Sequence, residues 1–211
     1  MDENPHFDAC PPQKITNMVR IAKMLAFGAI GPGYARLWRI AVTPHRMNDH
    51  YPSERNPMTT STEIYSQADQ RRQSGNLPYA GAVTPEEAAT LLQLDPEARL
   101  VDVRTRAELD WVGRPQIADD RYIHIEWIRY PGSVPNAQFL EQLRAQVAPN
   151  APLLFLCRSA ARSKVAAKLA TENGFSKAYD ILEGFEGDKN SAGHRKTVSG
   201  WCHRGLPWIG A

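Results

Sequence analysis

Short apolar runs alternate with amphipathic stretches from about residue 76 onward. Four of the runs have the length and β-branched or aromatic content of strands: "ARLVDVR" (98–104), "RYIHIEW" (121–127), "PLLFLC" (152–157) and "KAYDIL" (177–182). The third is continuously apolar, as expected of a strand that is covered on both faces. Strands and helices that alternate at this spacing predict an α/β fold, with a mostly parallel central sheet of about five strands flanked by helices.

The helices between these strands have recognisable ends. Thr84, Pro85 and Glu87 in "TPEEAATLLQL" form a capping-box pattern with proline at the first helical position. A second helix is predicted to open at Pro135 and to continue through "AQFLEQLRAQV". A third, "AARSKVAAKLATENG", is predicted to stop at Gly174, a residue typical of helix C-termini.

The first 75 residues lack this regularity. The stretch "TPHRMNDHYPSERNPMTTSTE" is rich in Pro, Asn, Thr and Ser, so it can bury little apolar surface. We therefore predict a poorly ordered N-terminal extension at 1–75, with a short polar helix in "STEIYSQADQRRQS", and an α/β domain at 76–211. Met58 is the preferred internal start, which would make 1–57 a mis-assigned beginning.

Composition narrows the classes of function. The chain has 211 residues and a formal net charge of +2, which gives no reason to expect a nucleic-acid or membrane partner. Cys10, Cys157 and Cys202 are too few for a disulfide framework, and no Cys-x-x-Cys spacing suggests zinc. We therefore expect no metal, no cofactor and a reducing cytoplasm in which the thiols stay free.

Cys157 is the residue on which the functional interpretation depends. It ends the most apolar strand, and a helix begins a few residues later, so its sulfur is expected beside a helix N-terminus at the carboxyl edge of the sheet. That position, together with Arg158 and Arg162, favours an ionised thiolate, while Ser159 and Ser163 supply hydroxyl donors. The pattern predicts a nucleophile in a cradle for negative charge, which needs no separate general base.

Several ordered motifs resemble those of rhodanese-homology domains. "CRSAARS" is similar to the active-site loop of that family, often Cys-Arg-Ser-Gly-x-Arg-Ser, and "LVDVRTRAELDWVGRP" is similar to its Leu-hydrophobic-Asp-Val-Arg segment. "ILEGFEGD" and "GWCHRGLPW" resemble the closing segment of single-domain bacterial members. The resemblance covers about residues 77–208 and does not reach the first 75.

The resemblance implies sulfur transfer through a persulfide. Cys157 would take a sulfane sulfur from a small anionic donor, such as thiosulfate or a persulfide, and pass it to cyanide, a thiol or a protein acceptor. The loop from Arg158 through Ser159, Ala160, Ala161 and Arg162 to Ser163 would bind the substrate. Its two arginines would hold the donor, and the backbone amides of 158–162 would cradle the terminal sulfur.

One loop residue, one charged pair and two tryptophans qualify this interpretation. Ala160 stands where the family usually has glycine, so a left-handed backbone there would cost about 1–2 kcal/mol. Asp102 and Arg104 are expected to play a supporting role, tying their strand end to neighbouring loops by charge-assisted hydrogen bonds. Trp127 and Trp201 are expected to pack in the core rather than to line a pocket.

Two alternatives stay open at this point. The first is a non-catalytic binding or sulfur-relay module on the same fold. The second is a cysteine-dependent phosphatase or arsenate reductase, which uses a Cys-x5-Arg loop. Only four residues separate Cys157 from Arg162, and Ser163 occupies the position of the phosphatase arginine. The shorter loop favours a sulfur atom over a tetrahedral phosphate, which needs an arginine clamp.

Overall fold

A computed structural model describes residues 60–210. The helices are α1 (Ser61–Gly75), α2 (Pro85–Leu94), α3 (Arg106–Val112), α4 (Phe139–Arg144) and α5 (Ala161–Glu172). The strands are β1 (Gly81–Val83), β2 (Arg99–Asp102), β3 (Arg114–Pro115), β4 (Tyr122–His124), β5 (Ile128–Arg129), β6 (Val134–Pro135), β7 (Leu153–Leu156), β8 (Ala178–Ile181) and β9 (Trp208–Ile209).

Five of these strands form one parallel sheet in the order β1-β8-β7-β2-β4. The predicted fold class is therefore confirmed. The four strands expected from the sequence are all in this sheet, and β7 lies at its centre. β1 was not expected, because three residues give too short an apolar signal. The remaining strands form two small antiparallel pairs, β3 with β9 and β5 with β6.

Both faces of the sheet are covered, which explains the continuous apolar run of β7. Leu153 and Phe155 pack into one cluster with the alanines of α5, whereas Leu154 and Leu156 pack into the other with α1 and α2. All four side chains are fully buried. At about 1.5–3 kcal/mol for each fully buried large apolar side chain, β7 is a major contributor to the stability of the fold. Its C-terminal end is consequently held in one place.

The structured region begins earlier than the predicted boundary at residue 76. The polar helix expected there is present as α1, and Thr60 and Glu63 form its capping box. Ile64 and Ala68 of α1 are buried, and α1 packs so closely on β1 that a side chain at Gly81 would collide with the Ala68 carbonyl. Arg71 also donates to both oxygens of Glu87, and the Tyr65 hydroxyl donates to Asp95. Residues 60–75 thus pack as part of the domain, because polar contacts add to the small buried face of α1. Met58, Cys10 and the rest of 1–59 lie outside the described residues.

The segment after β6 differs from the sequence expectation. The predicted helix from Pro135 is present only as α4, Phe139–Arg144. Asn136 is buried and donates its side-chain amide to the Glu126 carbonyl and to Gln142, which fixes a turn before the helix begins. Trp127 packs edge-on against Phe139 with ring centroids 5.0 Å apart, as expected for a core side chain. Within residues 60–210, every helix is too short or too polar to cross a bilayer.

Candidate functional site

Cys157 lies directly after β7, at the carboxyl edge of the parallel sheet. The first turn of α5 begins four residues later, at Ala161. The Cys157 side chain is 1% exposed, so its sulfur is set into the protein rather than displayed on it. Because the central strand and the buried face of α5 hold both ends of the loop, the position of the sulfur is tightly defined.

Ser163 is the side chain in contact with the sulfur. Its Oγ lies 3.3 Å from Cys157 Sγ, and the serine is fully buried. A hydroxyl at this distance donates a hydrogen bond to a thiolate, which stabilises the charged form of the sulfur. Ser163 occupies the third position of α5, so the helix N-terminus adds its positive end to the same site.

Ala160 has the left-handed backbone that the sequence analysis anticipated. It is the N-cap of α5, with φ 60° and ψ 6°, and it is 5% exposed. An alanine in this conformation is strained by about 1 kcal/mol, and it offers no side-chain cap to the helix amides. The backbone amides in the first turn of α5 are therefore not capped by the Ala160 side chain and can donate to another hydrogen-bond acceptor.

Replacing Ala160 with glycine is expected to leave sulfur loading of Cys157 equal or faster. Glycine adopts the same backbone without strain, and it removes a Cβ from the buried loop. The free energy of unfolding is expected to change by less than about 1 kcal/mol, since the relief of strain is offset by the greater freedom of glycine in the unfolded chain. Thiosulfate-dependent turnover and urea unfolding of Ala160→Gly test this; a loss of rate beyond fivefold would contradict it.

A cavity of about 450 Å³ leads to the sulfur. Five residues of the predicted substrate loop line it: Cys157, Arg158, Ser159, Ala161 and Arg162. The opposite wall comes from α3 and from the β5–β6 hairpin, through Thr105, Glu108, Ile128, Tyr130 and Ser133. The structure thus brings the loop residues together around one space, with Ala160 and Ser163 buried behind it.

Arg162 is held differently from the sequence expectation. Its two terminal nitrogens donate to both oxygens of Glu108, at 2.8 Å and 2.6 Å. Burial alone would raise the pKa of Glu108, but the hydrogen bonds from Arg162 and Thr105 outweigh it and lower the pKa to about 2. The charge of Arg162 is thus already paired, and the arginine serves to join the loop to α3 rather than to present a free cation.

Glu108 and Tyr130 are site residues that the sequence analysis did not identify. Glu108 also completes the capping box of α3 with Thr105, a Thr-x-x-Glu spacing that was visible in the sequence. Its second function, the pairing with Arg162 across 54 positions, carries no local signal. Tyr130 lies in a hairpin whose two-residue strands are too short to give a periodic pattern.

The turn that follows β8 packs against the Cys157 loop and is joined to it by backbone hydrogen bonds. The amide of Phe185 donates to the Cys157 carbonyl at 2.8 Å, and the amide of Glu186 donates to the Arg158 carbonyl at 3.0 Å. Gly184, immediately before Phe185, has φ +70° and lies so close to the loop that an added Cβ would be 2.6 Å from the Cys157 oxygen. Gly184 is therefore required by both backbone conformation and space.

Asp102 and Arg104 form a buried ion pair away from the cavity wall. Both side chains are 0% exposed, and Arg104 Nη2 lies 2.6 Å from Asp102 Oδ2. Tyr122 donates its hydroxyl to the same oxygen at 2.9 Å. The Arg104 guanidinium stacks on Phe185 with its carbon 4.1 Å from the ring centroid. The pair thus connects the end of β2 to the turn that carries the Cys157 loop.

Asp180 is a second buried carboxyl near the site. It lies on β8 beside Phe155, and neither carboxyl oxygen has a hydrogen-bond partner of good geometry within residues 60–210. Burial raises the pKa of Asp180 to about 6, and the Ser163 hydroxyl and the Lys164 charge oppose the rise only in part. A buried carboxyl with a raised pKa therefore lies close to Ser163, the serine that contacts the sulfur.

A larger cavity, about 650 Å³, opens beside Arg106, His124 and Arg129. Its lining has no thiol or hydroxyl side chain, His124 Nε2 is engaged by the Arg104 carbonyl at 2.9 Å, and Glu126 accepts from the Arg106 amide. Across residues 60–210, no group of three His, Cys, Asp or Glu side chains could hold a metal ion. Cys157 is therefore the reactive group around which a chemical function can be built.

Comparison with known proteins agrees with this geometry. The family model of the STR4 middle domain matches residues 80–211, well over half of the chain. The chain belongs to this family of rhodanese-like domains. The solved structure of Rv0390 from M. tuberculosis is similar, with 41% identity and a TM-score of 0.56, and the match covers 62% of this chain and 98% of that one.

Two curated relatives illustrate the range of the rhodanese-like family. An uncharacterized protein of Rickettsia conorii is 34% identical over 123 residues, which cover 58% of this chain and 91% of the relative. The rhodanese-like domain-containing protein 4 of the Arabidopsis thaliana chloroplast is 29% identical over 129 residues, but the match covers only 26% of that protein. The shared region is thus the domain alone.

Proposed function

We propose that this rhodanese-like domain is a sulfurtransferase that carries a sulfane sulfur on Cys157. The observation that supports this most directly is the placement of the Cys157 thiol. It lies at the bottom of a cavity, in contact with the Ser163 hydroxyl at 3.3 Å and beside the N-terminus of α5. Each of these neighbours stabilises negative charge on sulfur, which both a thiolate and a persulfide carry.

The proposed reaction has two steps, each with a balanced exchange of bonds. The Cys157 thiolate attacks the outer sulfur of thiosulfate, the donor's sulfur–sulfur bond breaks, and its electron pair leaves with sulfite. Cys157 then holds a persulfide. A cyanide or thiolate acceptor attacks the terminal sulfur, the new sulfur–sulfur bond breaks, and the Cys157 thiolate is restored. No external oxidant or reductant is consumed.

Arg158 is the proposed binder of the anionic donor. It is exposed at the cavity and makes no ion pair within residues 60–210, whereas Arg162, the other loop arginine, is paired with Glu108. A phosphatase would need an arginine at the position of Ser163 to clamp the phosphate, but that position holds a buried serine in contact with the sulfur. We further propose a reducing cytoplasm as the working compartment, since a free thiol is required.

Mass spectrometry of the intact protein after thiosulfate treatment tests the proposal. We expect a gain of one sulfur atom that cyanide removes, and no gain in Cys157→Ser. Cys202→Ser is the matched control: that thiol is half-buried outside the cavity, and burial raises its pKa. The Cys202→Ser protein should load like the wild type. If neither thiosulfate nor an organic persulfide adds sulfur to the wild-type protein, the domain is instead a non-catalytic binding module.

A further inference from the structure

Two exposed aromatic side chains meet beside the Cys157 cavity, and a third exposed apolar side chain stands on the adjoining hairpin. Trp111 is 76% exposed, Tyr130 is 63% exposed and Val134 is 56% exposed, the highest values among the large apolar residues of the described region. We call these three residues the mouth patch. The Trp111 and Tyr130 rings meet edge to face with centroids 6.2 Å apart. Tyr130 also lines the cavity, and Val134 stands on the other strand of the same hairpin.

The mouth patch is not explained by the handling of a small sulfur donor. Trp111 and Val134 lie outside the wall of the cavity, so thiosulfate or cyanide bound beside Cys157 would not touch them. Nor do they fill the core, since more than half of each side chain is exposed. Clustered exposed apolar side chains mark interaction sites, and tryptophan and tyrosine are the residues most enriched at the centres of interfaces.

The charge next to the mouth patch indicates what kind of partner fits. Arg158 is exposed at the cavity, and within residues 60–210 its guanidinium has no acidic partner. Of the neighbouring arginines, Arg162 is paired with Glu108 and Arg106 with Asp110, whereas Arg129 hydrogen-bonds Asn136 and lines the other cavity. A partner that places a carboxylate near Arg158 would therefore pair with the exposed charge that lines the Cys157 cavity.

The depth of Cys157 limits the shape of that partner. Cys157 is 1% exposed, so an acceptor thiol must enter the cavity to approach it. A thiol on an extended segment could enter the cavity while the residues beside it lie on the mouth patch. An extended backbone presents successive side chains to opposite sides. The cysteine of the segment can therefore point into the cavity while its neighbours contact the mouth patch.

We propose that the mouth patch docks an extended, acidic segment of a partner protein, whose cysteine thiol accepts the sulfur from Cys157. This inference rests on the proposed sulfurtransferase function and names its acceptor. The partner thiolate attacks the terminal sulfur of the Cys157 persulfide, the sulfur–sulfur bond breaks, and the electron pair returns to Cys157. The partner leaves as the persulfide, and the charges and atoms balance without a further reactant.

The test compares acceptors in a single turnover. Protein loaded with thiosulfate and freed of donor is mixed with cyanide, with a peptide of about ten residues whose central cysteine is flanked by aspartates, or with the same peptide carrying lysines. Trp111→Ala is expected to slow transfer to the acidic peptide about tenfold and to leave transfer to cyanide within about twofold. Val134→Ser should act in the same direction by a smaller factor.

Leu94→Ser is the matched control. Leu94 is 48% exposed, a fraction similar to the 56% of Val134. It ends α2 just before β2, so it lies at the edge of the sheet opposite Cys157. Its replacement should change neither reaction. Equal rates for the acidic and basic peptides in the wild type, or an equal slowing of peptide and cyanide in Trp111→Ala, would overturn the docking proposal.

Two further measurements separate the ways in which the idea could fail. Calorimetric titration with the acidic peptide, its cysteine replaced by serine, measures docking without sulfur transfer. If the wild type binds the peptide but takes up no sulfur, and Trp111→Ala abolishes the binding, the docking proposal stands and the sulfurtransferase proposal is rejected. If the wild type takes up sulfur but does not bind the peptide, the sulfurtransferase proposal stands and the docking proposal is rejected. Sedimentation measures the oligomeric state. If the wild type is a dimer and Trp111→Ala is a monomer, the mouth patch binds a second copy of the chain, and the proposal of a different partner protein is rejected.

Discussion

Replacing Asp102 with alanine is expected to lower the free energy of unfolding by about 3–5 kcal/mol. The carboxylate is 0% exposed and accepts from Arg104 Nε at 2.9 Å and Nη2 at 2.6 Å, and from Tyr122 at 2.9 Å. Its removal leaves the Arg104 charge buried without a counter-ion, which costs more than the pair contributes. For a domain whose whole stability is about 5–15 kcal/mol, such a loss is severe.

Urea unfolding followed by tryptophan fluorescence measures this loss, and a double variant supplies the control. Asp102→Ala with Arg104→Met removes both charges and keeps an apolar side chain against Phe185, which Arg104 stacks on at 4.1 Å. We expect the double variant to recover more than half of the stability, because no unpaired charge is then buried. A loss below about 1 kcal/mol in Asp102→Ala would show that water reaches the arginine.

The Asp102–Arg104 pair also illustrates what sequence reasoning can supply. The Asp-Val-Arg spacing at the end of an apolar strand indicated a supporting role through charge-assisted hydrogen bonds to neighbouring loops, whereas the structure pairs the two residues with each other. Its partner ring, Phe185, is 81 positions from Arg104 in the chain and could not be inferred from it. The strands and the capping box of α2 were accessible because apolar runs and capping residues are local signals. The pairings that join distant segments are not local.

The same distinction explains how the site was interpreted. Cys157 and its position before α5 follow from a strand that ends where an Arg- and Ser-rich turn begins, so one segment contains the whole signal. The state of Arg162 depends on Glu108, which reaches it from another helix. The cavity wall formed by Tyr130 likewise arises only when the β5–β6 hairpin folds over the loop. The loop was predictable, but its electrostatic balance was not.

Replacing Gly184 with alanine is expected to slow sulfur loading of Cys157 more than tenfold and to destabilise the domain by roughly 2–4 kcal/mol. The new Cβ would lie 2.6 Å from the Cys157 oxygen and 2.6 Å from the Ser159 nitrogen. Backbone atoms cannot move aside as a flexible side chain does, so the loop must shift away from the turn. The shift would weaken the contact between Cys157 Sγ and Ser163 Oγ.

The matched control for Gly184→Ala is Gly205→Ala. Gly205 has φ +69°, almost the same as the φ +70° of Gly184, but an added Cβ there would meet no atom within 4 Å. The two variants therefore share the backbone strain and differ in the collision with the loop. Intact-mass loading rates and urea unfolding of both variants separate the two effects. Equal loading rates would mean that the turn beneath Cys157 does not position the sulfur. A slow Gly184→Ala beside a normal Gly205→Ala would show that the turn after β8 sets the geometry of the nucleophile.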